Sequence, residues 1–399
     1  MALHVLVTFA LASLTAFVGY SILCSALTTA RAEMLQSYIR VRAEREQTLF
    51  EQAEDYITAA EAAFLRRLDL ISDEMVEREF DTVFPAPGDG TRRSAPVLFD
   101  GTTAPDGDHV FGIGAFLGDG EEMTLEEKRR YLAGYHVVRS VGEAYLGTFS
   151  SLYYFTPDRR MVMFAPERPD RLEFYRFDAP ADFQLEADED PRLFNRATNP
   201  RGEMQCTPLS RFVYNDGGER SATACRKPVH EGETLLGAFG TSVDMTDHLA
   251  RALESPPTGG VNMVFDRDRN VIARGEAAGA RIDPAATIAV LADDPRASGI
   301  VQSPDGRSLI AFSRIQGPAW YFVSVVQLDP VYETASHWAK LLFAFVFSMS
   351  LLFAALRGIL RRLYPTRRLL RARRLAQASR KAAAARQQPN LPANDPVSD

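Results

Sequence analysis

Two apolar stretches free of Lys, Arg, Asp and Glu, Ala2–Ala30 and Leu341–Leu356, bracket about three hundred mostly polar residues. Each is comparable with the ~20 residues a helix needs to cross ~30 Å of hydrocarbon. The second is shorter, but His337, Trp338 and Lys340 before it and Arg357 after it can snorkel to the interfaces. Two such segments divide the chain into compartments, with one large domain on one side of a membrane. The expected spans are 1–30 and 336–357.

Charge gives the orientation. The formal net charge is −7, yet the tail from Arg357 onward holds 11 Lys/Arg against 2 Asp/Glu, leaving 34 basic and 50 acidic residues elsewhere. Basic residues beside a membrane helix stay cytoplasmic, so Arg361-Arg362, Arg367-Arg368 and Arg371-Ala-Arg-Arg374 place the C-terminus inside. The intervening domain is then outside, in the periplasm of a bacterial inner membrane, with both termini cytoplasmic. A cleaved signal peptide is the rival reading of the first segment, with Ala30-Arg31-Ala32 as its cleavage site. Against it stand a missing basic n-region and an apolar stretch longer than usual. Cys24 reads as a membrane cysteine rather than an acylation site.

The outer domain has two cysteines, Cys206 and Cys225. They bracket the turn signal Asn215-Asp-Gly-Gly218, and a hairpin there brings them together for a disulfide in an oxidising compartment. Two free buried thiols are the alternative.

Residues 31 to about 80 read as one long helix. Met34, Leu35, Tyr38, Ile39, Leu49, Phe50, Tyr56, Ile57, Phe64, Leu68 and Ile71 recur at spacings near three and four, and no Pro or Gly interrupts before Pro85. A helix of that length is best buried by a second copy, so a homodimer is expected. Phe84 to Gly120 is rich in Pro, Gly, Asp and Thr and reads as surface loops. Thr124-Leu-Glu-Glu127 is a capping box opening a helix to about Ala144. Strands follow at Thr148–Phe155, Met161–Phe164, Phe212–Tyr214, Ser221–Arg226 and Leu235–Val243, and Asp244–Leu253 is a short amphipathic helix. Beyond the hinge Ser255-Pro-Pro-Thr-Gly-Gly260 the same parts recur: strands at Val261–Phe265 and Val271–Arg274, a helical piece at Pro284–Ala292, then strands at Gly299–Ser303, Ser308–Ile315 and Trp320–Val326. This is a duplication of fold without a residue-level repeat.

Tyr153-Tyr-Phe-Thr-Pro-Asp-Arg-Arg160, the paired strands of 221–245 with Gly237, Gly240 and Asp244, Val264-Phe-Asp-Arg-Asp-Arg-Asn-Val-Ile272 and Ile315-Gln-Gly-Pro-Ala-Trp-Tyr-Phe-Val323 carry a resemblance. Together they resemble the double Cache family of extracellular sensor domains, tandem PAS-like units behind a long N-terminal helix, over about 31–335. The resemblance implies an α+β fold: a signalling helix at 31–80, a membrane-distal unit at 81–254 and a membrane-proximal unit at 255–335. Two transmembrane helices flank them, and a basic, partly disordered tail occupies 358–399. It also implies a small-ligand pocket in the distal unit near Tyr154, Arg192, Phe194 and Asp244. An Arg forks onto a carboxylate, an Asp holds an ammonium, and aromatic rings wall the apolar part. The family's amino-acid-binding version has Arg-x-Trp-Tyr with an earlier Tyr. Here Arg192-Leu-Phe-Asn195 stands in its place and Ala187 at the earlier position. Arg192 also reads as a solvated partner of Asp188 or Asp190, and Asp244 as a helix N-cap.

No catalytic constellation is found. Asp266-Arg-Asp-Arg-Asn270 lacks the glycine and bidentate acid of a calcium loop, with Val271 and Ala277 in those places. The six histidines have no zinc spacing, and Gly112-Ile-Gly114 sits in a loop without a phosphate-binding helix. No metal, cofactor or enzyme activity is expected. Arg361–Gln388 reads as a helical connector that touches anionic lipid or a partner, or as topogenic charge alone. The resemblance implies a receptor that signals to a cytoplasmic partner in trans. The alternatives are the sensory part of a longer histidine kinase or diguanylate cyclase, and a periplasmic protein-interaction scaffold.

Overall fold

The computed structural model describes residues 2–103, 107–119, 123–158, 160–168, 172–181, 183, 190–213, 219–276, 284–292, 296–363 and 366–385. The turn expected at Asn215–Gly218, Ala187, Asp188, Ala277 and the tail beyond 385 lie outside them.

Helix α1 runs from Ala2 to Leu70. Leu35, Ile39, Ala43, Phe50, Ala53, Tyr56, Ile57, Ala60 and Phe64 are buried along it at helical spacing, which is the stripe its periodicity predicts. It does not continue to residue 80. Ser72 restarts the chain as an N-cap, its hydroxyl accepting from the Met75 amide at 3.3 Å, and α2 covers Asp73–Val83. Asp73 and Glu74 in that first turn suit the positive end of a helix, so a Ser-Asp-Glu start signal overrides the uninterrupted apolar pattern.

The first sheet has eight strands. In chain order they are β1 (Thr91–Arg93), β4 (Ile113–Asp119), β5 (Leu152–Phe155), β6 (Met161–Phe164), β7 (Gln205–Cys206), β8 (Ser210–Val213), β9 (Glu219–Glu231) and β10 (Thr234–Asp244). They lie in the order β1-β4-β6-β5-β10-β9-β7, with β8 also on β9. A short helix α3 (Val97–Asp100) and the small hairpin of β2 (Thr102–Thr103) and β3 (His109–Val110) precede β4. The segment read as surface loops therefore contributes β1 and a buried strand, β4. Gly114 hides that strand from a propensity reading. A Cβ there would fall 2.7 Å from Leu172 Cδ2, so the glycine is kept for close packing rather than for a loop. Helix α4 (Leu125–Ala144) starts with both hydrogen bonds of the Thr124–Glu127 capping box.

The second sheet holds β11 (Gly260–Phe265), β12 (Val271–Arg274), β13 (Ser298–Gln302), β14 (Ser308–Ile315) and β15 (Trp320–Gln327), in the order β12-β11-β15-β14-β13. Helix α5 (Asp190–Phe194) belongs to the first sheet's surroundings. Helix α6 (Thr246–Leu253) joins the two sheets, and α7 (Pro284–Ala292) lies within the second sheet's segment. Both sheets share one plan. An opening hairpin (β5-β6 or β11-β12) has its first strand paired with the last strand of the set, β10 or β15. This is an α+β fold of two PAS-like antiparallel units behind a long helix.

The Ser255–Gly260 stretch is tied to α1. Arg42 donates to the carbonyls of Arg251, Ala252 and Glu254 at 3.0, 2.8 and 2.9 Å. The Tyr38 hydroxyl donates to Ser255 O at 3.1 Å, and Arg31 bonds to Thr258 O. Deeper in, His248 of α6 meets the buried Glu46 of α1 at 2.9 Å.

The chain divides into two compact units, Ala30–Leu328, described above, and one formed by 1–29 with 329–399. In the latter, α8 (Asp329–Leu363) is followed by α9 (Thr366–Ala385). The N-terminal part of α1 and α8 are long and apolar enough to cross a membrane, and little of either apolar window is buried. They pack on each other: Phe9 meets Phe343 edge-on at 5.5 Å, and Gly19 lets Leu342 approach to where a Cβ would stand 2.8 Å away.

Candidate functional site

Alternation along β5 assigns its residues to two faces of the first sheet. Tyr154 points to the helices. Its ring lies 4.9 Å from Phe64 of α1, 6.0 Å from Tyr131 of α4 and 5.2 Å from Phe239 of β10. Its hydroxyl donates to Leu236 O, and burial raises its pKa well above the ordinary phenol value. Tyr153 and Phe155 point to the opposite face, with Phe116 of β4, Met161 of β6 and Ala238 of β10.

Two glycines make this double tyrosine possible. At Gly237 (φ +142°), a Cβ would stand 2.8 Å from both Phe155 O and the Tyr154 hydroxyl. At Gly240 it would stand 2.6 Å from the Tyr153 ring. The Gly-x-x-Gly spacing thus admits one tyrosine on each face.

The face away from the helices is the candidate site. It is covered by a π-helical turn, Phe174–Asp178, by Phe183 and by α5. Tyr175, Ala179 and Leu193 are buried against the strands, and Phe194 lies 5.5 Å from Phe155. Phe174 and Phe183 stand 5.0 Å apart, and Phe116 and Phe183 6.0 Å apart. Guanidinium groups edge this aromatic floor. Arg93, 5% exposed, sits 5.1 Å from the Phe116 ring and donates to the carbonyls of Tyr175 and Ala179. Arg226 of β9 lies 5.8 Å from the Phe155 ring. Arg93 is also held by the Asp89 carboxylate at 3.2 Å and by the Thr91 hydroxyl at 3.0 Å, so this face offers an apolar aromatic wall with guanidinium groups at its edge. The described side chains pack closely on this face.

The four residues expected from sequence are dispersed. Phe194 is in the cluster, whereas Tyr154 is core on the helix side. The Arg192 side chain is exposed, while its carbonyl accepts from Thr198 and Gln205. Asp244 ends β10, and its carboxylate accepts from the Thr246 amide at 2.9 Å, an Asx-type turn one residue before the helix N-cap Met245 rather than an N-cap. Tyr153, Phe155, Arg93 and Arg226 of this candidate face are not among the residues expected from sequence. Strand pleat separates Tyr153 from Tyr154, but only knowledge of which face the helices cover decides between them. Cys206 and Cys225 are opposite one another on β7 and β9 and form a disulfide. Among the described residues, no group of three or more His, Cys, Asp or Glu is arranged to hold a metal ion.

No protein-family model and no curated protein matches the chain. Solved structures do. Similar structures include chemoreceptor sensory domains. The ligand-binding domain of the Pseudomonas fluorescens chemoreceptor CtaA, in complex with L-isoleucine, is 14% identical, with a TM-score of 0.39 over 78% of this chain and 98% of that one. The periplasmic sensory domain of the Campylobacter jejuni chemoreceptor Tlp1 is 10% identical, with a TM-score of 0.40 over 77% and 98%. The ligand-binding domain of the Pseudomonas aeruginosa chemoreceptor PctC, in complex with GABA, is 14% identical, with a TM-score of 0.36 over 74% and 100%. At these values the ligands of those domains say nothing about this chain's ligand. Its double PAS-like plan rests on its own two strand orders.

Proposed function

We propose that this chain is a non-enzymatic membrane receptor that takes a small molecule on the outer face of its first sheet. The observation that supports this reading most is the aromatic face of Phe116, Tyr153 and Phe155, edged by Arg93 and Arg226. That chemistry suits a small carboxylate with an apolar body. Displacing the covering segment shifts strands that α1 packs against, and α1 runs unbroken into an apolar helix of membrane length. The ligand moves the equilibrium only by its differential affinity for two states. The domain lies in the periplasm of a bacterial inner membrane, both termini are cytoplasmic, and the receptor works as a homodimer. Its basic α9 faces anionic lipid and a signalling partner in trans.

The test is a thermal-shift screen of the full chain in lipid nanodiscs against amino acids, amines and carboxylates. At least one compound raises Tm in the wild type and loses its effect in Tyr153→Ala, while Tyr154→Phe keeps it. A screen without any shift contradicts ligand sensing.

A second reading has its own observation. The site face is packed by its own rings, which suits a periplasmic scaffold needing no cavity. Photocrosslinking from exposed Phe177 to one periplasmic protein, together with a blank ligand screen, would establish it.

A further inference from the structure

A second cleft, of about 300 Å³, opens at the edge of the first sheet, among α1, the end of β9 and the loop after α5. Its walls are Glu61 of α1, Arg196 and Arg201 of the loop, and Lys227 and His230 of β9. The volume is that of a small-molecule site.

The loop is built to hold its arginines. Asn199, 4% exposed, donates to the carbonyls of Leu193 and Glu203 at 3.2 and 2.9 Å and accepts from the Glu203 amide. Gly202 (φ +63°) approaches Pro228 and His230 without a side chain. Three of the four fixed charges on the walls are cationic. Arg201 is paired with Glu203 at 2.6 Å, and Arg196 with Glu233, but both carboxylates are well exposed. Such surface pairs are worth ~0–1 kcal/mol and exchange readily. Lys227 differs. Its ammonium is mostly buried, 2.8 Å from the Glu61 carboxylate and 3.1 Å from the Thr58 hydroxyl, both on α1.

We propose that this cleft is a second ligand site, specific for a small oxyanion held by the Arg196 and Arg201 guanidinium groups and the Lys227 ammonium. Arg196, Arg201 and Lys227 line one cleft, and two planar donor forks with an ammonium are a donor set suited to carboxylate or phosphate oxygens. Burial and nearby Arg196 lower the His230 pKa, so the imidazole is a neutral hydrogen-bonding wall. An anion on Lys227 competes with Glu61, and its binding is thereby felt by α1. This site is independent of the aromatic face and of the reading placed on it.

The test uses the full chain in nanodiscs at constant ionic strength, titrated calorimetrically with citrate in one arm and inorganic phosphate in the other. The proposal expects saturable binding in at least one arm. Arg201→Gln weakens it at least about tenfold, and Arg196→Gln does likewise. Arg201 is highly exposed, so R201Q leaves the fold intact even if R196Q does not. No saturable binding in either arm, or undiminished binding in R201Q, overturns the proposal. A metabolite screen in which no shift is lost in Tyr153→Ala, with intact citrate or phosphate binding to the wild type, would instead contradict the receptor reading alone.

Discussion

At the scale of single residues, the tandem Tyr153-Tyr154 decides most of what the first sheet can do. One ring is sealed among Phe64, Tyr131 and Phe239 and the other faces the candidate site. Their glycine partners make unequal demands. Gly237→Ala meets the Phe155 carbonyl in a left-handed backbone and loses about 2–3 kcal/mol, whereas at Gly240 the Tyr153 ring can swing, and the loss is smaller. Chemical denaturation of the two variants should rank them in that order. His136 supplies a pH dependence. Burial, with Arg67 adding to it, pushes its pKa down to about 4, so above that pH its contact with Glu79 is not an ion pair. The unfolded chain binds this proton near pH 6.5 and the folded chain near 4. Stability contributed at neutral pH is therefore lost as pH falls from 6.5 towards 4, by up to about 3 kcal/mol. Denaturation across pH 4–7 should show that slope flattened in His136→Gln, and an unchanged slope would contradict the assignment. Sequence alone marked the two cysteines that the structure joins and named Phe194, which packs against the ring cluster. It did not separate Tyr153 from Tyr154, because alternation gives two faces without saying which one helices cover.

At the scale of elements, α1 does more than connect. Arg42 gathers three carbonyls at the end of α6, and Glu46 meets His248 in the interior. Arg42→Ala removes charge-assisted bonds worth about 2–3 kcal/mol together and frees the linker. Limited proteolysis should then cut within Ser255–Gly260 in the variant and spare the wild type. The Cys206–Cys225 bridge closes a separation of 19 residues and adds about 3 kcal/mol in the chain-entropy view. Alkylation before and after reduction should release two thiols beyond Cys24, and two labelled without reductant would refute the bridge. Most strands of both sheets were legible where they are apolar runs bounded by turn residues, such as β6, β11 and β15. β4 was not, since the glycines around Ile113 signal loops while serving close packing. The break at Ser72 was masked by unbroken apolar periodicity on both sides.

At the scale of the whole molecule, composition was more informative than any motif. Two uncharged stretches and a basic tail give the expected layout, and the two sheets with one strand plan lie in sequence between the stretches. Neither the aromatic floor nor the basic cleft could be read in advance, because each gathers residues far apart in sequence. The central claim is one outer sensing domain joined to an inner tail by two membrane helices. The most direct measurement places single cysteines in a Cys24→Ser background, Phe177→Cys in the domain and Lys381→Cys in α9, and labels intact cells with a membrane-impermeant maleimide. The outer membrane is opened first to admit the reagent. The account predicts labelling at position 177 in those cells and at position 381 only after the inner membrane is disrupted. Labelling of both positions, or of neither, before that disruption would contradict it.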